Sequence, residues 1–389
     1  MQKVSNVLLK GVDAIIVNPV DNGLMFQKSD QATAIICDSD LVNRRPQAEL
    51  SRRLAYVGSD SILNYRLQME ALAKYLQNKG NVAILLGDLA NESTRDRTKG
   101  VEEVKDVSIG VSMALFDDNF LTILRTSMQK EMKKDGVKSQ IEDAKGDVSQ
   151  QLQQVQNFIG QGVDAIIVNP VDTNAVKPIM DQATKAGIPL VFVNRRPQAE
   201  LTDKMAYVGS DSILAGRLQM EALAKAMNGK GNVAILLGDL ANESTRDRTK
   251  GVEEVVAKYP NIKIVQKQTA KFTRNDAVDV VSNWMTSGED IQAIASNNDE
   301  MAIGALQALG KNPNHILIAG VDGTPDALQM LKSGKMIATI FQDAKGQGEG
   351  AVDAAIKLAN GEKVEKIIDV PYQLITKENM AEFTNRNQK

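Results

Sequence analysis

Cysteine and histidine occur once each in 389 residues, as Cys37 and His315. A single thiol excludes an internal disulfide. One cysteine and one histidine also fall short of the usual zinc sets and of Cys-His or Ser-His-Asp catalysis, so no metal, cofactor or catalytic residue is expected. Aromatic residues are scarce at 4%, with one tryptophan. Neither charge dominates: 46 Lys+Arg oppose 49 Asp+Glu for a net charge of -3, which gives no basic field to hold nucleic acid or an anionic membrane. Apolar runs such as 82–86 are far below the ~20 residues of a bilayer crossing, and Met1-Gln2-Lys3 opens no apolar signal segment, so no membrane insertion is expected. The glycine clusters Gly229-Lys230-Gly231 and Gly346-Gln347-Gly348-Glu349-Gly350 lack both the dinucleotide spacing and the Gly-Lys-Ser/Thr ending of a phosphate loop. What is present is 43% hydrophobic residues, ample for two or three cored domains of roughly 150 residues each.

The chain repeats part of itself. Placed without gaps on 153–255, residues 2–104 agree at 71 of 103 positions and differ at 32; residues 81–104 recur without a change as 232–255. An offset of 151 is too long for a solenoid repeat. The differences are clustered. Ile188-Pro189-Leu190-Val191-Phe192 reads as a buried strand, whereas the same register of the first copy holds Cys37-Asp38-Ser39-Asp40-Leu41. Unpaired carboxylates are costly to bury, so that strand is expected at an edge or not at all. Unaltered blocks beside rewritten ones point to recombination or engineering. The first copy lacks the strand preceding its first helix and everything after Val104, so 1–104 read as an imperfect partial copy, an appendage or partial lobe.

From Lys105 on, short apolar runs alternate with amphipathic stretches. Segments 107–112, 162–169, 188–194, 232–237, 262–265, 293–295 and 316–321 read as strands; 121–135, 149–160, 175–186, 212–227, 245–258, 277–286, 300–309 and 325–332 read as helices. Continuous apolar strands alternating with helices predict doubly wound α/β structure with parallel sheets, and 285 residues favour two lobes over one sheet. Ligands of such sheets sit beyond the carboxyl ends of strands. There the chain places Phe116-Asp117-Asp118-Asn119-Phe120, Asn194-Arg195-Arg196-Pro197, Thr245-Arg246-Asp247-Arg248, Asn297-Asn298-Asp299-Glu300 and Asp322-Gly323-Thr324-Pro325-Asp326.

These loops, with Ser244 to Gly251 and Ala338-Thr339-Ile340-Phe341-Gln342, resemble a periplasmic sugar-binding protein of the ribose, galactose and inositol group. The resemblance covers nearly all of 105–389. It implies two hinged lobes, the first from 105–210 with 343–371 and the second from 211–342 with 372–389. It also implies Phe116, Asp118, Phe120, Asn194, Arg195, Arg248, Phe272, Asn298, Asp322 and Gln342 as ligand-facing residues. The chemistry agrees with that set: arginines donate to paired oxygens, carboxylates and amides accept hydroxyl protons, and phenyl rings cover C–H faces. Ribose-type members carry aspartate where this chain has Asn194, which favours an inositol-like polyol. The implied partner is the permease of an ABC transporter and the implied location the periplasm, which the low thiol content fits.

Plainer roles stand beside these. Phe116, Phe120 and Phe272 also suit a core; Arg246 and Arg248 suit an exposed first helical turn; Asn298 or Asp299 suits a helix cap, and Asp322 a turn before Pro325. Trp284, His315 and Cys37 read as structural. Alternative functions are the effector core of a sugar-responsive transcription regulator, an engineered ligand-controlled switch, and an enzyme on the same sheet, for which no nucleophile and base are present.

Overall fold

The computed structural model describes residues 107–311 and 315–387, together with three strands nearer the start of the chain. Two compact units divide the chain, Met1–Asp106 and Val107–Lys389.

In the first unit β1 (Ala14–Val17), β2 (Thr33–Ile36) and β3 (Val82–Leu85) form a parallel sheet in the order β2-β1-β3. Strand β2 lies upstream of Cys37 to Leu41, the stretch expected at an edge or not as a strand at all, which falls outside the described residues. Ile15 pairs with Ala34, whereas its counterpart Ile166 pairs with Leu190, the equivalent of Ser39, so the pairing has slid five residues. Thr33-Ala34-Ile35-Ile36 supplies the apolar, β-branched residues that Asp38-Ser39-Asp40 lacks, and the substitute lies at a sheet edge. Cys37, and Arg44 and Arg97, the first copy's counterparts of Arg195 and Arg248, lie outside the described residues.

The second unit holds two six-stranded sheets. Its chain order is β4 (Ser108–Met113), α1 (Asn119–Lys134), β5 (Lys138–Asp143), α2 (Val148–Gln161), β6 (Ala165–Val168), α3 (Lys177–Ala186), β7 (Leu190–Val193), β8 (Met205–Gly209), α4 (Ser212–Ala226), β9 (Lys230–Leu237), α5 (Glu243–Val256), β10 (Asn261–Thr269), α6 (Arg274–Thr286), β11 (Ala293–Ser296), α7 (Asp299–Leu309), β12 (Leu317–Asp322), α8 (Pro325–Lys332), β13 (Ala338–Phe341), α9 (Ala344–Ala359), β14 (Ile367–Asp369) and β15 (Gln373–Ile375). One lobe carries the order β14-β8-β7-β6-β4-β5, parallel throughout. The other carries β10-β9-β11-β12-β13-β15, in which only β15 runs antiparallel. The chain crosses between lobes three times, from β8 to α4, from β13 to α9 and from β14 to β15.

Each sheet is buried on both faces, as continuous apolar strands require: β6, β7, β8, β11 and β13 are buried along their whole length. Side-chain caps start the helices, with Asp118, Asp147, Asp211, Asn242, Thr273, Asn298, Thr324 and Asp343 each accepting from a first-turn N–H. Helices α4 and α5 meet backbone to backbone at Gly216 and Gly251, where an added Cβ would lie 2.0 Å from the Arg248 carbonyl and 2.2 Å from that of Ile213.

Several elements were not read from the sequence. Strand β5 is polar and partly exposed, β14 and β15 are three residues each, and α9 opens with the three glycines weighed as a phosphate loop. Those glycines serve close packing. A Cβ at Gly348 would come within 2.9 Å of the Leu124 carbonyl and the Ser127 side chain, both on α1.

Candidate functional site

One cleft between the lobes is lined by Asp118, Phe120, Leu121, Asn194, Arg195, Asn242, Ser244, Arg248, Phe272, Asn298, Asp322 and Gln342. Nine of the ten residues singled out from the sequence are in that set. Phe116 is not: it packs against the core of the first lobe and the Arg125 guanidinium sits 3.9 Å from its ring centre.

Strand ends and helix starts position the polar groups. Arg248, buried on the second turn of α5, donates through Nη1 to the Asn297 carbonyl and through Nη2 to Gln342 Oε1 at 2.8 Å and the Tyr372 hydroxyl at 2.9 Å. Its Nε is buried and has no hydrogen-bond partner. Arg195 is anchored on Pro170 and Val171, with Nη1 donating to their carbonyls at 2.9 and 3.4 Å, and burial lowers its pKa. Asn194 adopts φ 67°, the Tyr207 hydroxyl donates to its carbonyl at 3.1 Å, and its own Nδ2 donates to Gln347 at 3.2 Å. Asn298 both caps α7, accepting from Met301 N–H at 3.0 Å, and donates to the Phe272 carbonyl at 3.2 Å, so the capping and lining roles coexist. Phe272 has φ 64° and its ring lies over Gly238, where a Cβ would stand 2.0 Å from the ring.

Carboxylates share this buried, mostly polar space. Asp118 caps α1, accepting from Leu121 N–H at 2.7 Å; burial raises its pKa, against that bond and the nearby Arg195. Asp322 is raised further by burial, with Arg248 opposing and Asp299 adding to the shift. Asp299, beneath the cleft, is raised by burial although Thr339 and Thr324 donate to it. Buried carboxyls of this kind accept from hydroxyls whether or not they hold a proton, and donate when they do.

The lobes also touch directly. Thr173 donates from its backbone N–H and its hydroxyl to the Ala241 carbonyl, both at 3.1 Å. Asn119 Nδ2 donates to Glu300 at 2.9 Å, and Arg274 holds the same carboxylate. Glu243 is buried at the start of α5, with the charges of Arg195 and Arg248 nearby.

Asn242, Ser244 and Tyr372 escaped the sequence reading. The first two precede the expected helix start at Thr245, yet Asn242 is followed by three polar residues, the pattern of a helix cap. Tyr372 carries no local signal, because the fold alone brings it to Arg248.

A family model described as "Periplasmic binding protein domain" matches residues 1–107 and again 109–363. The chain belongs to this family. Periplasmic binding protein relatives match it over most of their own length. A putative rhizopine-binding protein of Rhizobium meliloti is 47% identical over 288 residues, covering 72% of this chain and 93% of the relative. The ribose import binding protein RbsB of Bacillus subtilis is 35% identical over 272 residues, covering 70% and 88%. Among solved structures, an ABC transporter solute-binding protein of Bacillus halodurans with bound myo-inositol is 42% identical and superposes with a TM-score of 0.69, covering 72% of this chain and 98% of that one. These periplasmic binding protein relatives are solute-binding proteins, not enzymes, and their likeness establishes the two-lobed α/β fold.

Proposed function

We propose that the chain is the solute receptor of an ABC-type transporter: it binds a small cyclic polyol or monosaccharide between the lobes and closes around it. The carrying observation is the convergence of donors, acceptors and phenyl rings from both lobes on one cleft. Asp118, Phe120, Asn194 and Arg195 come from one side, and Arg248, Phe272, Asn298, Asp322 and Gln342 from the other. A sugar ring offers hydroxyls that donate and accept, and C–H faces that stack on rings. Each group here matches one of those needs. Only contacts made to both lobes shift an open–closed equilibrium, so the bridging position of the cleft is what couples binding to closure.

An inositol-like ligand is preferred, because the relatives at 47% and 42% identity are named for rhizopine and bound to myo-inositol, ahead of the ribose protein at 35%. The closed form is presented to a membrane permease, and the periplasm is the working compartment; both follow from the family. The lobes extend over 105–210 with 343–371 and over 211–342 with 372–389. A regulator's effector core has the same lobes, but the relatives above are transport proteins, which favours the receptor.

Isothermal calorimetry with myo-inositol and D-ribose tests the reading. Saturable binding of one sugar to one chain is expected, tighter for myo-inositol; no heat with either, nor with other pentoses, hexoses and amino-sugars, would overturn it.

A further inference from the structure

Residues 384–387 run behind the cleft. Beyond the helical turn Met380–Phe383, Asn387 is 1% exposed, and its Nδ2 donates to the carbonyls of Asp322 at 2.9 Å and Gln342 at 2.7 Å. Carbonyls only accept, so the chemistry fixes which way the amide faces. These carbonyls sit at the ends of β12 and β13, and both residues' side chains line the cleft. Asp322 holds φ 127°, a conformation that side-chain-bearing residues rarely adopt, and its carbonyl also accepts from Gln342 N–H at 3.2 Å.

The preceding residue grips the hinge. Arg386 donates to the Asp343 carboxylate at 2.8 Å and lies 4.4 Å from the centre of the Phe341 ring, on which Phe383 packs at 5.1 Å. Asp343 caps α9, the helix that returns the chain to the first lobe. The step Gln342-Asp343 is therefore held from behind by consecutive tail residues, on its cleft side by Asn387 and on its hinge side by Arg386. Gln342 in turn accepts from Arg248.

We infer that Asn387 is a positioning residue of the ligand cleft: its amide ties the ends of β12 and β13 together and so sets the Asp322 and Gln342 side chains, and through Gln342 the Arg248 guanidinium. The inference rests on the receptor reading for its effect on binding, and on the hydrogen bonds alone for its effect on the backbone. Removing the donors leaves the Asp322 carbonyl with the Gln342 N–H alone and the Gln342 carbonyl with the Ala344 N–H alone, and loosens the tie that holds the strained Asp322 backbone.

The decisive variant is Asn387→Asp, which keeps size and shape but has no N–H to give. Calorimetry with myo-inositol and D-ribose is expected to show a loss of about tenfold or more for whichever sugar the parent binds, in line with one or two buried hydrogen bonds. Hydrogen exchange on the ligand-free protein is expected to quicken in peptides covering 321–324 and 341–344, and to stay unchanged in those of β4 to β7. Should Asn387→Asp fail to fold, Asn387→Ser retains one donor and is expected to show the same pattern more weakly. Unchanged exchange at both strand ends overturns the inference, as does quickening spread over the whole unit, which would mark a merely structural residue. If the parent binds neither sugar, the receptor reading fails and the exchange pattern still decides the role of Asn387.

Discussion

Thr173 reaches across the cleft to Ala241, giving one carbonyl two hydrogen bonds, from its backbone N–H and from its hydroxyl. Both residues lie beside the ligand cleft rather than in it, so the contact acts on the closed form and not on the ligand. Thr173→Val keeps the shape and the backbone bond but removes the hydroxyl. Affinity is expected to fall by about 0.5–1.5 kcal/mol, read by calorimetry and carried by faster release, while the ligand-free melting temperature stays within error of the parent.

Arg248 offers the largest single effect. Its guanidinium is buried, ties together Asn297, Gln342 and Tyr372, and keeps Nε free of protein partners. Arg248→Ala leaves those acceptors unpaired in a closed site, and a loss of about 2–4 kcal/mol in binding free energy is expected by calorimetry. Arg246 is the control: its neighbouring charge is exposed, and Arg246→Ala is expected to bind as the parent does.

Binding should depend on pH through Glu243. This carboxyl is 2% exposed at the first position of α5 and has a buried Oε2 without a partner. Burial pushes its pKa from 4.5 to about 7, against the pull of the nearby Arg196 backbone and of the Arg195 and Arg248 charges. Opening the cleft returns the group to water and toward its ordinary value. Closure therefore takes up a proton between those limits: the closed form is favoured below the ordinary pKa, and that advantage is lost as pH rises through about 7. Affinity is expected to tighten from about pH 8 to about pH 5.5. Glu243→Gln is neutral throughout, so it should bind more tightly than the parent at the alkaline end and show a shallower slope. Some slope persists, because burial raises Asp118 and Asp322 as well. A glutamine variant with the parental slope would remove Glu243 from the linkage.

Gly238 sets the seat of Phe272. An added methyl would stand 2.0 Å from the ring, so Gly238→Ala must displace either the phenyl group or the end of β9. A stability loss of about 1–3 kcal/mol by denaturant unfolding is expected, with weaker sugar binding as the apolar wall shifts.

The sequence made the post-strand loops legible because β-strands rich in Val, Ile and Leu end abruptly in polar residues, and ligands of wound sheets gather there. Asp118, Asn194, Arg195, Asn298 and Asp322 all follow that logic. Asn242 and Ser244 were missed because the helix was read as starting at Thr245, and a cap two residues earlier swings that corner into the cleft. Tyr372 and Asn387 were out of reach for another reason: their partners are 124 and 65 residues away and no local pattern announces them. The slide of β2 shows a converse limit. Where the twin pairs Ile166 with Leu190, Ile15 pairs with Ala34 and not with Ser39, so the two aspartates foretold a weak strand but not which four residues would pair instead.

Strand β3 stands beside β1 where, in the second unit, β4 stands beside β6: Val82 faces Ala14 as Ile109 faces Ala165. Yet β3 has the sequence of part of β9, which in its own sheet lies between β10 and β11. One fragment mass thus stands for two strands, with one neighbour among the described residues of the first sheet and two in the second. Deuterium uptake in that shared peptide should accordingly split into a fast and a slow population of equal size.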